Sequence, residues 1–187
     1  EARGDTAVFT FGRFNPPTIG HEKLVNAVAK QQSKNSGSKM YVYASQSNDP
    51  KKNPLPYAKK IAYMRKMFKK HSKNIITGKP RTAIEVAVEL YNKGHNGFDN
   101  IEVVSAGERD PDAEGVEGMS ASKMRAAAEK GDFDSFKTGI PNTMSDDDKK
   151  KMYLDVRKGQ GMREEREMGD DYDSLRDAYL TGKIWNV

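Results

Sequence analysis

The chain has 187 residues, 35% of them hydrophobic and 32% charged, with 32 basic against 27 acidic residues for a net charge of +5. That length supports one hydrophobic core with extensions, and no apolar run approaches the ~20 residues of a membrane helix. The absence of cysteine excludes disulfides, thiol nucleophiles and zinc–thiolate sites and suits a reducing compartment, while His21, His71 and His95 cannot make a metal cluster on their own.

Thr6–Phe11, "TAVFTF", is β-branched and aromatic and predicts a strand buried on both faces. Leu24, Val25 and Val28 have helical spacing and predict a helix over His21–Lys34. "KMYVYA" at Lys39–Ala44 is a second strand. A polar, Pro-rich loop, "SQSNDPKKNPLP", then leads to a helix over Tyr57–Lys70, with Ile61, Met64 and Phe68 on one side. Tyr41, Tyr43, Met64 and Met67 are expected to pack rather than to touch a ligand. "NIITG" at Asn74–Gly78 is a short strand, and Thr82 caps a helix through Tyr91 in which Ile84, Val88 and Tyr91 form one face. "NIEVVSA" at Asn100–Ala106 is another strand, and Ser120 opens a helix to about Lys130. This alternation predicts a parallel sheet with crossover helices, an α/β sandwich. Beyond Pro141 the sequence becomes charge-laced, and helices packed on the domain edge by Tyr153, Leu154, Leu175 and Tyr179 compete there with a partner-binding arm.

In an open parallel sheet, ligands collect at the carboxyl ends of strands beside helix amino ends. "GRFNPPTIGH", Gly12–His21, occupies such a junction after the first strand. Gly12 permits close backbone approach, Pro16-Pro17 fixes a turn, and the following helix start attracts anions. Thr18 and His21 share a helical face, so hydroxyl and imidazole can grip one phosphate with Gly20 leaving room between them. The alternative is an ordinary N-cap at Thr18 and a surface residue at His21. A second helix start, "GMSASKMR" at Gly118–Arg125, has Ser120 as N-cap with Ser122, Lys123 and Arg125 placed to meet a polyphosphate.

"GRFNPPTIGH" resembles the T/HxGH motif of the nucleotidyltransferase superfamily. Thr18 follows the TxGH variant of the phosphopantetheine branch, whereas Gly12-Arg13-Phe14 is similar to the nicotinamide mononucleotide branch. Met119–Arg125 resembles the superfamily's second motif, I-S-x-T-x-I-R, with Met for Ile twice and Ser for Thr once. The ensemble also looks like nucleotidyltransferase-like proteins of large tailed phages.

The resemblance implies a Rossmann-like three-layer sandwich over residues 1–141 and a mostly helical, charged extension over 142–187. It implies transfer of a nucleoside monophosphate from ATP or CTP to a phosphate-bearing acceptor such as nicotinamide mononucleotide, with Mg²⁺ carried by the triphosphate and no protein metal site. Thr18 and His21 would contact the α- and β-phosphates. Arg13, Ser120, Ser122, Lys123 and Arg125 would hold the β- and γ-phosphates, within a site shaped by Gly12, Phe14 and Gly20. Gly107, Arg109 and Asp110 would place the nucleoside, and Lys51, Lys52, Asn53 and Arg65 the acceptor.

Cytidylyl transfer to an alcohol phosphate is the nearest alternative reaction. A non-catalytic module of a larger assembly is the alternative class, since the chain begins at Glu1 and ends straight after an apolar pair. Nucleic acid is a poor partner, because aromatics do not interleave with Lys and Arg. The expected location is cytoplasmic (the host's if phage-encoded, or the virion), with a homo-oligomer or a larger protein as the setting.

Overall fold

A computed structural model describes residues 6–78, 81–92 and 119–162. The expected strand at 100–106, the loop carrying Gly107, Arg109 and Asp110, and Leu175 and Tyr179 lie outside these residues. Strands β1 (Ala7–Gly12), β2 (Lys39–Ala44) and β3 (Ile75–Ile76) form a parallel sheet in the order β1-β2-β3, and the β1–β2 register pairs Gly12 with Ala44. Helices α1 (Ile19–Ser33), α2 (Tyr57–Met67), α3 (Ala83–Asn92), α4 (Ala121–Glu129), α5 (Phe133–Thr138) and α6 (Asp146–Gly159) surround it, with a 3₁₀ turn over Lys69–Asn74.

Alternation along the strands sorts side chains between two faces. Met40, Val42 and Ala44 enter the main core with Val25 and Val28 of α1 and Ile61 and Met64 of α2. Tyr43, with Phe9, Phe11 and Tyr41, meets Val86 and Leu90 of α3 on the other face. Helix, sheet and helix are thus stacked in three layers, a Rossmann-like α/β fold as the strand–helix alternation predicts.

Three local expectations change. The residues of β1 are all half-buried rather than covered on both faces, since among the described strands only β2 pairs with it. On α3 the inward face is Val86 and Leu90, while Ile84, Val88 and Tyr91 face outward at 77%, 54% and 51% exposure. The sheet offers that helix a narrow contact around Tyr43, which an i, i+4 pair suffices to cover. Helix α2 ends at Met67, and its last expected turn continues as 3₁₀.

The segment after Pro141 contributes α6. Ser145 caps it, three aspartates fill its first turn, and Arg157 and Lys158 lie in its last, matching the helix dipole at both ends. Its buried Met152, Tyr153 and Val156 join the main core, with Tyr153 edge-on to Phe133 and Phe136 at 5.1 and 5.3 Å between ring centres. Among the described residues no helix is long and apolar enough to cross a membrane.

Candidate functional site

Three loops converge at the carboxyl ends of β1 and β2. The first is the turn from Gly12 to Thr18. Phe14 takes a left-handed backbone conformation, φ 47°, and its ring is completely buried 4.8 Å from the His21 ring. A β-carbon at residue 12 would stand 3.0 Å from that ring, so glycine is needed there for Phe14. The expectation that Phe14 lines the nucleotide pocket is therefore corrected: its side chain packs beneath the loop and supports His21. The β-carbon position of Gly12 is thus the side that faces the Phe14 ring.

Helix α1 begins with a reciprocal cap. The Thr18 hydroxyl accepts the His21 N–H at 3.3 Å, and the Thr18 N–H donates to His21 Nδ1 at 3.1 Å. Thr18 is 1% exposed with its hydroxyl engaged in the cap, so it does not offer the second prong that the sequence suggests. The cap instead determines what the imidazole can do. With Nδ1 accepting, a neutral ring carries its proton on Nε2 and is a donor from that nitrogen. Gly20 is exposed beside it, and a β-carbon there would meet nothing closer than the Thr18 hydroxyl, at 3.5 Å.

The second loop follows β2. The Ser45 N–H donates to the Gly12 carbonyl at 2.8 Å, joining the two strand ends. Asp49 and Asn53 exchange backbone hydrogen bonds, and Asp49 Oδ1 accepts the N–H groups of Lys51 and Lys52. Those contacts hold the Asp49 carboxyl below its ordinary range, with the Lys52 N–H the leading cause. Lys51 and Lys52 point into solvent, whereas Asn53 is buried. Its amide nitrogen donates to Asp49, and its Oδ1 has no partner among the described residues.

Asn15 binds this loop to the first one. Its side chain donates to the Leu55 carbonyl at 3.1 Å and accepts the Leu55 N–H at 2.9 Å. The predicted acceptor residue Arg65 stands apart, donating to the Ile75 carbonyl and the Thr77 hydroxyl at the end of β3.

The third element is the start of α4. Ser120 caps it through the Lys123 N–H at 3.2 Å, while Ser122 and Lys123 are exposed. Arg125 donates to the Asn15 carbonyl at 2.7 Å and to the Ser122 hydroxyl at 3.1 Å, strapping α4 to a loop 110 residues earlier. Its pKa is held below the usual arginine value, first by burial and then by Arg13, with Asp49 opposing. That places Arg13, Asp49 and Arg125 within one electrostatic neighbourhood. The end of α6 supports the strap: Gln160 donates to the Arg125 carbonyl at 2.9 Å, and a β-carbon on Gly159 would lie 1.9 Å from the Pro54 carbonyl oxygen.

Of the predicted residues, the Arg125–Asn15 bond ties the start of α4, with Ser120, Ser122 and Lys123, to the loop that carries Arg13 and leads through Thr18 to Gly20 and His21. Asn15, Asp49, Lys60, Gly159 and Gln160 were not anticipated. Only Lys60 left a trace in the sequence, as a lysine in register with the apolar stripe Ile61, Met64 and Met67 of α2. Among the described residues no group of three His, Cys, Asp or Glu could hold a metal ion.

A parallel sheet flanked by helices, with one helix start following β1 and a second strapped to the same loop, is a Rossmann-like α/β arrangement of the kind that binds ligands in a crevice at strand carboxyl ends. The family described as cytidylyltransferase-like matches residues 9–112, more than half of the chain. The chain belongs to that family, and with it to the nucleotidyltransferases. No curated protein and no solved structure matches it. The α4 motif lies beyond the matched residues, so its place in the crevice rests on the Arg125–Asn15 strap.

Proposed function

We propose that the crevice transfers a nucleoside monophosphate from a Mg²⁺-bound triphosphate to a phosphate-bearing small molecule and releases pyrophosphate. ATP is the first donor on this reading and nicotinamide mononucleotide the first acceptor, because Gly12-Arg13-Phe14 is similar to that branch of the superfamily. CTP is the second donor. An acceptor phosphate oxygen attacks the α-phosphorus as the bond to the bridging α–β oxygen breaks, and pyrophosphate leaves with its Mg²⁺.

The chain's part is positioning and charge stabilisation. His21 donates from Nε2 to a non-bridging phosphate oxygen where negative charge grows. The positive end of the α1 dipole, with exposed Gly20 in its first turn, receives the same anion. Arg13, Lys123 and the remaining N–H groups of Arg125 face the β- and γ-phosphates. The single observation that carries the reading is the Thr18–His21 cap, which leaves the imidazole a donor at an exposed helix start.

The test begins with melting temperature in Mg²⁺ and each of ATP, CTP, GTP and UTP. A ligand at a hundred times its Kd adds about 2.7 kcal/mol to the folded state, which raises Tm by several degrees in a domain of this size. The triphosphate that does so is then paired with phosphate acceptors and pyrophosphate release is followed. The reading fails if no triphosphate shifts the transition, with or without acceptors present.

A further inference from the structure

Among the described residues Lys60 is the charged side chain that is enclosed completely, at 0% exposure. It lies on the inner face of α2 among Ile61, Met64 and Met67, and its ammonium donates to the Ser45 carbonyl. Ser45 is the residue whose N–H holds the Gly12 carbonyl, so the charge stands one peptide behind the loop that leads to His21. The nearest ring is that of Tyr57, 5.9 Å from the ammonium. An ammonium has three N–H donors, and the Ser45 carbonyl is the one acceptor that meets it among the described residues. No carboxylate pairs with it there, and burial alone pushes its pKa down, to about 8.

Burying an unpaired cation costs stability, and nothing in the packing requires it. A methionine would fill the same slot with two methionine neighbours. The charge is useful where it is because a buried cation acts through low dielectric and is poorly screened by salt. On the reading of the crevice given above, we propose that Lys60 is a positioning residue for the polyphosphate: it fixes the end of β2 through the Ser45 carbonyl and supplies unneutralised positive potential beneath the strand ends where the anion sits.

The probe is inorganic tripolyphosphate with Mg²⁺, titrated calorimetrically into the full 187-residue chain. Lys60→Met is expected to bind it at least about ten-fold more weakly at pH 7, with an unliganded Tm equal to or above that of the wild type. Lys60→Arg restores part of the affinity.

The unliganded pH profile supplies a second measurement, of whether the buried ammonium is charged at pH 7, and the shift of its midpoint on tripolyphosphate binding is the readout that a merely structural lysine would not give. With a folded-state pKa near 8 against an ordinary 10.5, the folded chain sheds this proton before the unfolded chain does. The penalty is therefore full below pH 8 and relieved between about pH 8 and 10.5, so wild-type Tm carries a rising contribution across that window that Lys60→Met lacks. If Lys60→Met unfolds, ¹⁵N resonances of the lysine ammonium groups serve instead, with Lys60→Arg giving the assignment. Saturating tripolyphosphate should raise the Lys60 titration midpoint, and an unchanged midpoint overturns the proposal. If wild type binds tripolyphosphate and His21→Ala weakens it while Lys60→Met binds normally, the Lys60 role alone falls. If wild type binds none, the nucleotide reading falls and takes this role with it.

Discussion

The helix starts of α1 and α4 are both tied to the loop that follows β1 but are built on different plans. At α1 Thr18 and His21 satisfy each other within one turn, and the tie to a distant segment, from the Ile19 N–H to the Gly139 carbonyl at 2.9 Å, leaves the imidazole out of it. At α4, Ser120 satisfies a single N–H, and the stabilising reach comes from Arg125, which grips the Asn15 carbonyl in another segment. The first arrangement holds a donor group in one orientation. The second joins segments distant in sequence, and Gln160 in turn holds the Arg125 carbonyl from the end of α6. Chemistry should therefore be separable from folding at α1 and inseparable from it at α4.

The largest expected effect is at α1. His21→Ala removes the Nε2 donor and one arm of the cap. Loss of a preorganised donor to developing charge costs about 10²–10³ in turnover, whereas loss of a cap contact costs roughly 1 kcal/mol. Pyrophosphate release in the variant should fall by that factor while Tm drops only a few degrees. A variant that keeps wild-type turnover would remove His21 from the chemistry.

Arg125→Met should lose affinity and stability together. It leaves the buried Asn15 carbonyl without its charged donor, an uncompensated group costing about 1–3 kcal/mol, and it takes away part of the phosphate grip. Arg125→Lys keeps the charge, but a single ammonium lacks the fork that spans Asn15 and Ser122, so rescue should be partial. Triphosphate affinity falling with an unchanged Tm would mean that the strap is not structural.

Gly159→Ala probes the same side from further away. A β-carbon 1.9 Å from the Pro54 carbonyl oxygen cannot be accommodated without moving α6 or the 45–55 loop, and overpacking of this kind costs about 1–3 kcal/mol. The expected result is a lower Tm accompanied by weaker triphosphate binding, since Pro54 adjoins the Leu55–Asn15 clasp. Loss of stability with normal binding would separate α6 from the crevice.

This contrast also explains what could be read before any coordinates. Both helix starts were legible because a cap is a local device: Thr18, Ser120 and Thr82 announce themselves three residues before the N–H they bind. The sheet was legible from alternation and β-branching. The joins were not. Asn15 reaches forward 40 residues to Leu55, and Arg125 reaches back 110 to Asn15, and no short-range pattern encodes a partner at such separation. Phe14 misled for a related reason. Its neighbours Gly12 and Arg13 belong to a phosphate motif, yet its left-handed backbone turns the ring into the core. On α3 the sequence marks Ile84, Val88 and Tyr91 as one face, yet the sheet covers Val86 and Leu90, because a helix with apolar residues on two sides does not declare which one will be covered.

The smallest effect on the fold, and the sharpest separation of chemistry from structure, is expected at Gly20. In helix interiors glycine is about 1 kcal/mol worse than alanine, so its presence in the first turn of α1 is a local cost. Among the described residues nothing gives a reason for it: an added β-carbon would touch only the Thr18 hydroxyl there, at an ordinary 3.5 Å. The empty space lies beside His21 at the helix start, where an anion would approach. Gly20→Ala should therefore leave Tm unchanged or raise it slightly, while the methyl group stands in the path of the phosphate and lowers triphosphate affinity by about ten-fold. Equal affinity in the two proteins would mean that the anion does not sit over the first turn of α1, and the phosphate contacts would then have to be sought at Lys123 and Arg125 alone.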